Sequence, residues 1–286
     1  ITPAHRAAQG GHVAALEFLA DRGVSLAVSN SEGFTPAHYA AQGGHVAALK
    51  FLAGRGVDLA ANDNEGSTPA HYAAENGHVA ALEFLAGCGL DLAPNNSYGQ
   101  TPAHDAARSG HVAALEFLAD RGVDLAAQDS DEVTPAHFAA EHGHVAALKF
   151  LADRGVDLAA KSSRKGRTPA HLAAQLGHVA ALEFLAGRGV DLAAQDSDGD
   201  TPAHLAAEGG HVAALKFLAG CGLDLAAKTS NGATPDNGVT PAHHAAAGGH
   251  VAALEFLADR GVSLAAKASN GATPAHFAAY GGHVAA

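Results

Sequence analysis

A tetrad, Thr-Pro-Ala-His, begins at Thr2, Thr35, Thr68, Thr101, Thr134, Thr168, Thr201, Thr240 and Thr273. Successive spacings are 33, 33, 33, 33, 34, 33, 39 and 33 residues. Self-similarity at one period restricts the chain to stacked copies of a single supersecondary unit. Within the copy from Thr35, the threonine followed by Pro36 suits a helix start, since proline has no N–H to leave unbonded there. That helix stops at Gly43-Gly44, and a second one follows through Val46, Leu49, Phe51 and Leu52. Val46, Leu49 and Leu52 are expected to share the buried face with Lys50 opposite, and the repeated Val, Leu and Phe of this helix to form the interior. Gly56 fits a left-handed terminus, and Asn62-Asp63-Asn64-Glu65-Gly66 fits a polar turn before the next threonine. Each helix falls below the roughly 12 residues that an isolated helix needs in water. A unit must therefore be buried by the units before and after it.

A 33-residue helix–loop–helix–hairpin unit carrying TPAH and GHVAAL resembles the ankyrin repeat, whose usual motif is T-P-L-H-x-A. The resemblance runs over all 286 residues. It implies an all-α, ankyrin-type solenoid of stacked helix-loop-helix units linked by hairpin loops, one domain of about nine repeats over residues 1–286. The chain also departs from the family pattern. Alanine replaces the leucine before the histidine, as at Ala37, and the second leucine of the second helix, as at Ala53. Phe51, with Tyr39, Tyr72, Phe138 and Phe277 after the histidine, is expected to refill the lost volume. Alanine also stands for the usual hairpin asparagine, as at Ala60, which predicts one missing turn hydrogen bond.

A formal net charge of −12 argues against general affinity for nucleic acid or anionic membrane. No apolar run approaches the roughly 18 residues of a membrane span, and no secretory signal is visible. Cys88 and Cys221 occupy the same repeat position four units apart, about 40 Å in a linear stack, so free thiols are expected. That favours an intracellular, cytoplasmic setting; equally, each cysteine simply stands where most copies carry arginine. The chain begins one residue before a tetrad and stops within a second helix, so it reads as a segment of a longer repeat protein without capping repeats.

Of twenty histidines, eighteen belong to TPAH or GHV. Equivalent rings about one helix spacing apart, roughly 10 Å, cannot share an ion whose ligands sit near 2 Å. The resemblance implies a structural hydrogen-bonding role for His5, His38, His71 and their equivalents. The two surplus histidines, His142 and His244, have no ligand cluster beside them in sequence, so no metal, cofactor or catalytic site is expected.

The resemblance implies instead a non-catalytic scaffold that binds a partner protein along its concave side. Contacts would come from the hairpins, the residue before each tetrad, and the residues after each first helix's alanine pair. The distinctive ones are Phe34, Tyr98, Gln100, Arg108, Glu141, His142, Arg164, Lys165, Arg167 and Leu176. Among these, the turn Lys161–Arg167, KSSRKGR, is read either as a solvated tip or as a patch for an acidic partner segment, independent of the fold in both cases. The alternative to a scaffold is a structural protein that self-associates head to tail through uncapped repeats. Other departures are Arg6, Asp105 and His244 after the tetrad histidine, Glu132 in place of a turn glycine, and a duplicated NGATPD/NGVTPA turn at 231–242. Asp105 is expected to pair with Arg108.

Overall fold

The computed structural model describes residues 1–230 and 237–286, so the first half of the duplicated turn lies outside the described residues. The chain divides into two compact units, Ile1–Pro135 with Asp153–Val156, and Ala136–Ala152 with Asp157–Ala286. Among the described residues there are seventeen α-helices and no strand. They alternate between a seven-residue first helix and a nine-residue second helix. The sequence to Pro135 gives α1 (Pro3–Gln9), α2 (Val13–Asp21), α3 (Pro36–Gln42), α4 (Val46–Gly54), α5 (Pro69–Glu75), α6 (Val79–Gly87), α7 (Pro102–Arg108) and α8 (Val112–Asp120). Then come α9 (Pro135–Glu141), α10 (Val145–Asp153), α11 (Pro169–Gln175), α12 (Val179–Gly187), α13 (Pro202–Glu208), α14 (Val212–Gly220), α15 (Pro241–Ala247), α16 (Val251–Asp259) and α17 (Pro274–Tyr280). Beyond α17 the last residues form a turn rather than the second helix begun in the other copies.

Within the first unit, first helices stack on first helices (α1, α3, α5, α7) and second helices on second helices (α2, α4, α6, α8). The second unit repeats this through α11, α13, α15 and α17, and through α12, α14 and α16. The first helices meet through Ala37, Ala40, Ala41 and their equivalents, which are buried in every copy but the last and small enough to let backbones approach.

The interior of α4 is Ala48, Leu49 and Leu52, all at zero exposure, while Val46 and Phe51 are half-buried. This corrects the face expected from the sequence. At about 100° per residue, Ala48, Leu52 and Leu49 span one arc, and Val46 and Phe51 fall on its two borders. Phe51 therefore does not refill the core. Its ring is covered by the Arg55 guanidinium at 5.0 Å, and Arg22, Arg121, Arg188 and Arg260 cover their own phenylalanines at 4.4–5.1 Å. Arg55 also reaches back 3.2 Å to Asp21 of the preceding copy. At Cys88 and Cys221, both exposed and free, the preceding copy offers Gly54 and Gly187 in place of that aspartate, so no such ion pair is forfeited.

Two histidine contacts sew neighbouring copies together. Thr35 and His38 close a capping box, as do their equivalents at Thr2, Thr68, Thr101, Thr168, Thr201, Thr240 and Thr273. His38 Nε2 lies 3.1 Å from the carbonyl of Ser67, and the same contact recurs from His5 to His243 at 2.9–3.3 Å. A carbonyl only accepts, so Nε2 carries the proton and Nδ1 is bare. Nδ1 then accepts the Thr35 backbone N–H at 3.1 Å, with the threonine hydroxyl 2.9 Å away. The second contact runs backwards. His45 Nε2 donates to the carbonyl of Gln9 at the end of α1, and His78 Nε2 to that of Gln42. A side chain at Gly44, where φ is +67°, would meet the His78 ring at 2.6 Å, so glycine is required there on both counts.

The hairpin between copies needs no asparagine at Ala60. The Asp58 carboxylate accepts the Ala60 N–H at 2.8 Å and closes that turn, and Asp91, Asp124, Asp157, Asp191 and Asp224 do the same. The polar turn that follows is held by Asp63, whose Oδ1 accepts the N–H groups of Glu65 and Ser67. Glu132 takes the left-handed conformation of its glycine counterparts, with φ at +59°, and carries the strain of a side chain there.

Candidate functional site

In the first unit the polar turns are laddered. The N–H groups of Asn64, Ser97 and Ser130 donate to the carbonyls of Glu32, Glu65 and Tyr98 in the preceding turn. That sets Glu32, Glu65, Tyr98 and Asp131 at equivalent tips of successive copies. Tyr98 is 54% exposed. Phe34 is half-buried in an aromatic cluster, with ring centroids 5.5 Å from His38, 5.4 Å from Tyr39 and 4.8 Å from Tyr72. Tyr72 donates its hydroxyl to Asp63 Oδ2 at 2.5 Å, and Asn30 donates to the Tyr39 hydroxyl. Burial and that carboxylate hold the Tyr72 phenol well above its ordinary range.

Gln100 and Arg108 are working parts of the fold. Arg108 pairs with Asp105 at 2.5 Å, as expected, and donates to Gln100 Oε1 at 2.6 Å, while Gln100 Nε2 reaches Asp129 at 3.3 Å. Asp105 is only 6% exposed. Burial pushes its carboxyl up to about 7, against the opposing pull of Arg108 and with a further push from Glu75. Arg6 is exposed and bonds Gln9.

The second unit uses the same spacing. Arg167, before its tetrad, reaches Gln175 eight residues on at 2.9 Å and Asp196 twenty-nine residues on at 3.3 Å. Lys165 pairs with Asp198 at 3.2 Å, and Lys161 donates to the Gln195 carbonyl at 2.8 Å. Arg164 is exposed in the same turn. The basic turn is thus not independent of the fold, because the following turn supplies its counter-charges. The Asp196 side chain is fully buried and that of Arg167 is 16% exposed. His244, whose side chain is mostly buried, meets Asp200 at 3.0 Å. That bond and charge raise the imidazole despite burial, and the Asp200 carboxyl is held low by His244 although burial pushes the other way. His142, just past the end of α9, is exposed, donates Nδ1–H to the Phe138 carbonyl, and stacks on His144 at 6.2 Å. Glu141 is half-buried beside it, and Leu176, just past α11, is 48% exposed.

Asp196, Asp198 and Asp200 bring carboxylate oxygens within 4.8 Å of one another, the one grouping of metal-ligand type among the described residues. Each already holds its own cation: Arg167, Lys165 and His244 respectively. Asp196 Oδ1 also accepts the N–H groups of Asp198 and Asp200. The cluster is a saturated ion network. The tetrad histidines His38, His71, His104, His171, His204 and His243 are equally committed, both ring nitrogens being bound to backbone. Burial lowers His38, His71, His171 and His243, and takes His104 and His204 to about 4, which keeps the rings neutral. Open hollows recur between successive second-helix ends, as at Ala119, Asp124 and Arg154, about 250 Å³, and at Ala86, Asp91 and Arg121, about 350 Å³. Their repetition with the same residues marks them as features of the stacking.

A unit with this period, these two helices and this histidine seam defines an ankyrin-type repeat. The family description for ankyrin repeats in three copies matches residues 55–129 and 123–196. That for ankyrin repeats in many copies matches 4–53 and 242–286, and that for a single ankyrin repeat matches 198–230. The chain belongs to the ankyrin-repeat family, and its fold is the all-α ankyrin solenoid. Among solved structures it resembles the crystal structure of the human ASB11 ankyrin repeat domain, with a TM-score of 0.67 and 26% identity, over 77% of this chain and 97% of that one. None of the curated proteins compared matches the chain. Ankyrin repeats are in general protein–protein interaction modules. Among the described residues, no helix is long and apolar enough to cross a membrane.

Proposed function

We propose that this chain is a non-catalytic scaffold that takes a partner protein on the concave side formed by hairpin tips and first helices. The observation that carries the reading is where the copies differ. The buried leucines and alanines and both histidine contacts repeat with little change, whereas Tyr98, Gln100, Arg108, Lys165, Arg167 and Leu176 are each peculiar to their copy and cluster at hairpins and first-helix ends. Exposed aromatic and aliphatic groups at such places, Tyr98 at 54% and Leu176 at 48%, are the material of interface anchors. Elsewhere the ring of Phe18, also exposed, is covered by its own Arg22.

The test is site-specific photocrosslinking in extract from the source cells, with the crosslinker placed at Tyr98, at Leu176, or at Glu116 on the exposed side of α8. Discrete adducts from the first two positions and none from Glu116 are expected. Adducts that form only at Glu116 would place binding on the second helices and refute the reading.

A further inference from the structure

The two units treat the charges of their polar turns differently. In the second unit Asp196, Asp198 and Asp200 are each met by a cation of the same unit. In the first unit the equivalent tip residues Glu32 and Glu65 are exposed, and Glu75 is half-buried at the end of α5. Among the described residues no ion pair involves any of these three carboxylates. Glu32 stands two residues before Phe34, Glu65 two after the Asp63 that holds Tyr72, and Glu75 three after Tyr72 on α5, and the Phe34 and Tyr72 ring centroids are 4.8 Å apart. The charges of Asp63, Glu75 and Glu65 all raise the Tyr72 phenol, and Glu75 also raises Asp105. Arg108, which stands in the next copy at the position of Glu75, is committed to Asp105 and Gln100. This face therefore concentrates negative potential beside half-open aromatic rings, one of them held in place by its hydroxyl bond to Asp63.

Accepting the scaffold reading on which this rests, we infer that the first unit takes an extended basic segment of a partner protein. Its arginine or lysine side chains lie over Phe34 and Tyr72 and between the carboxylates of Glu32, Glu65 and Glu75. A cation over an aromatic face, with carboxylates at the rim, satisfies both features at once. A single metal ion does not fit, because these three carboxylates are not gathered to within ligand reach of one another, unlike Asp196, Asp198 and Asp200. Nucleic acid is excluded by the sign of the charge. Glu32 and Glu65 sit on successive tips, and an extended chain running along the ladder meets them in turn.

The probe is a fluorescein-labelled peptide of alternating arginine and serine, with a glutamine-for-arginine peptide as its neutral partner, both titrated against the full chain by anisotropy. The face variant combines Glu32→Gln, Glu65→Gln and Glu75→Gln. The control combines Glu17→Gln, Glu83→Gln and Glu116→Gln on the exposed sides of second helices in the same unit, which changes the net charge equally. With each exposed pair worth a fraction of a kcal/mol, the face variant is expected to bind about tenfold more weakly, with a shallower salt dependence. The control is expected to stay within about twofold. Tyr72→Leu, a residue the fold accepts at Leu172 and Leu205, should also weaken binding several-fold without changing the circular dichroism. Equal loss in face variant and control, or equal affinity for the neutral peptide, overturns the inference. A partner that crosslinks at Tyr98 yet binds the face variant unchanged overturns it while leaving the scaffold reading intact. Crosslinking confined to Glu116 sinks the scaffold reading itself.

Discussion

Asp105 is a buried carboxylate held at a cost, and replacing it should stabilise the protein. The residue is 6% exposed, and burial pushes its carboxyl up to about 7 from an ordinary value of 3.8. A group whose folded pKa is raised contributes stability that is fully present below its unfolded pKa and is lost as pH rises through the folded one. Here the loss runs from pH about 4 to about 7. The difference of about three units corresponds to about 4 kcal/mol at pH 8.5, when both states are ionised. Near pH 5 the folded carboxyl is still protonated and the unfolded one is not, and the penalty is about 2 kcal/mol. Asp105→Leu installs the residue that Leu172 and Leu205 already provide at this position, and adds apolar burial of about 1.5–3 kcal/mol. Arg108 loses its partner, but with 28% of its side chain exposed it keeps Gln100 and regains water. Urea unfolding at pH 8.5 and pH 5, followed by circular dichroism, should show the variant more stable than the parent, with a margin about 2–3 kcal/mol larger at the higher pH. Hydrogen exchange of α7 amides gives the local counterpart, which matters in an array that need not unfold as one block. Asp105→Asn, which removes the charge at nearly constant shape, should reproduce the pH dependence without the apolar gain. A margin that is independent of pH, or larger at pH 5, would refute the reasoning.

Leu115→Ala, at a site with zero exposure, should cost about 2–5 kcal/mol by urea unfolding, whereas Val112→Ala on the border of the same helix should cost under about 1.5. Arg167→Ala should cost about 3 kcal/mol, because it leaves the buried Asp196 carboxylate without its cation. Lys165→Ala, whose pair with Asp198 is about half exposed on both sides, should shift the urea midpoint almost imperceptibly. Glu132→Gly should gain about 1 kcal/mol in thermal or urea unfolding, by relieving a side chain held at φ +59°.

How far the sequence could be read follows from where each partner lies. The period and the tetrad place every helix, because their signals are local and appear nine times in phase. The Asp105–Arg108 pair was legible for the same reason, three residues on one helix. The buried arc of the second helix begins at Ala48 and not at Val46, and a helix this short has too few apolar positions for its sequence to fix the face. Nothing near the basic turn in sequence reveals its partners, Asp196 and Asp198, because they lie a full repeat away. Reading the chain at offsets of 8 and 29 from the residue before each tetrad would have found Gln175 and Asp196 for Arg167, and Arg108 and Asp129 for Gln100. His244 and Asp200 stand 44 residues apart across the long 39-residue spacing, so no simple offset joins them. The left-handed backbone at Glu132 was foreseeable only from the glycine column it interrupts.

The histidine seam addresses its neighbour by location and not by identity. His38 would find the same carbonyl waiting in any copy, since every bond ends on main chain, and His45 reaches back to main chain as well. Nothing in the seam spells out which copy belongs beside which. What selects the right one is the shortness of the tether, which holds the adjacent copy at an effective concentration on the order of millimolar while all others are strangers. A copy excised or inserted whole accordingly leaves the seam's own bonds intact, though side-chain pairs such as Arg167–Asp196 still tie particular copies together. His204 illustrates the seam's tolerance by meeting Val239 across 35 residues where most of its siblings span 29. The number of copies is then a quantity that selection can adjust in whole steps, independently of the chemistry displayed on each.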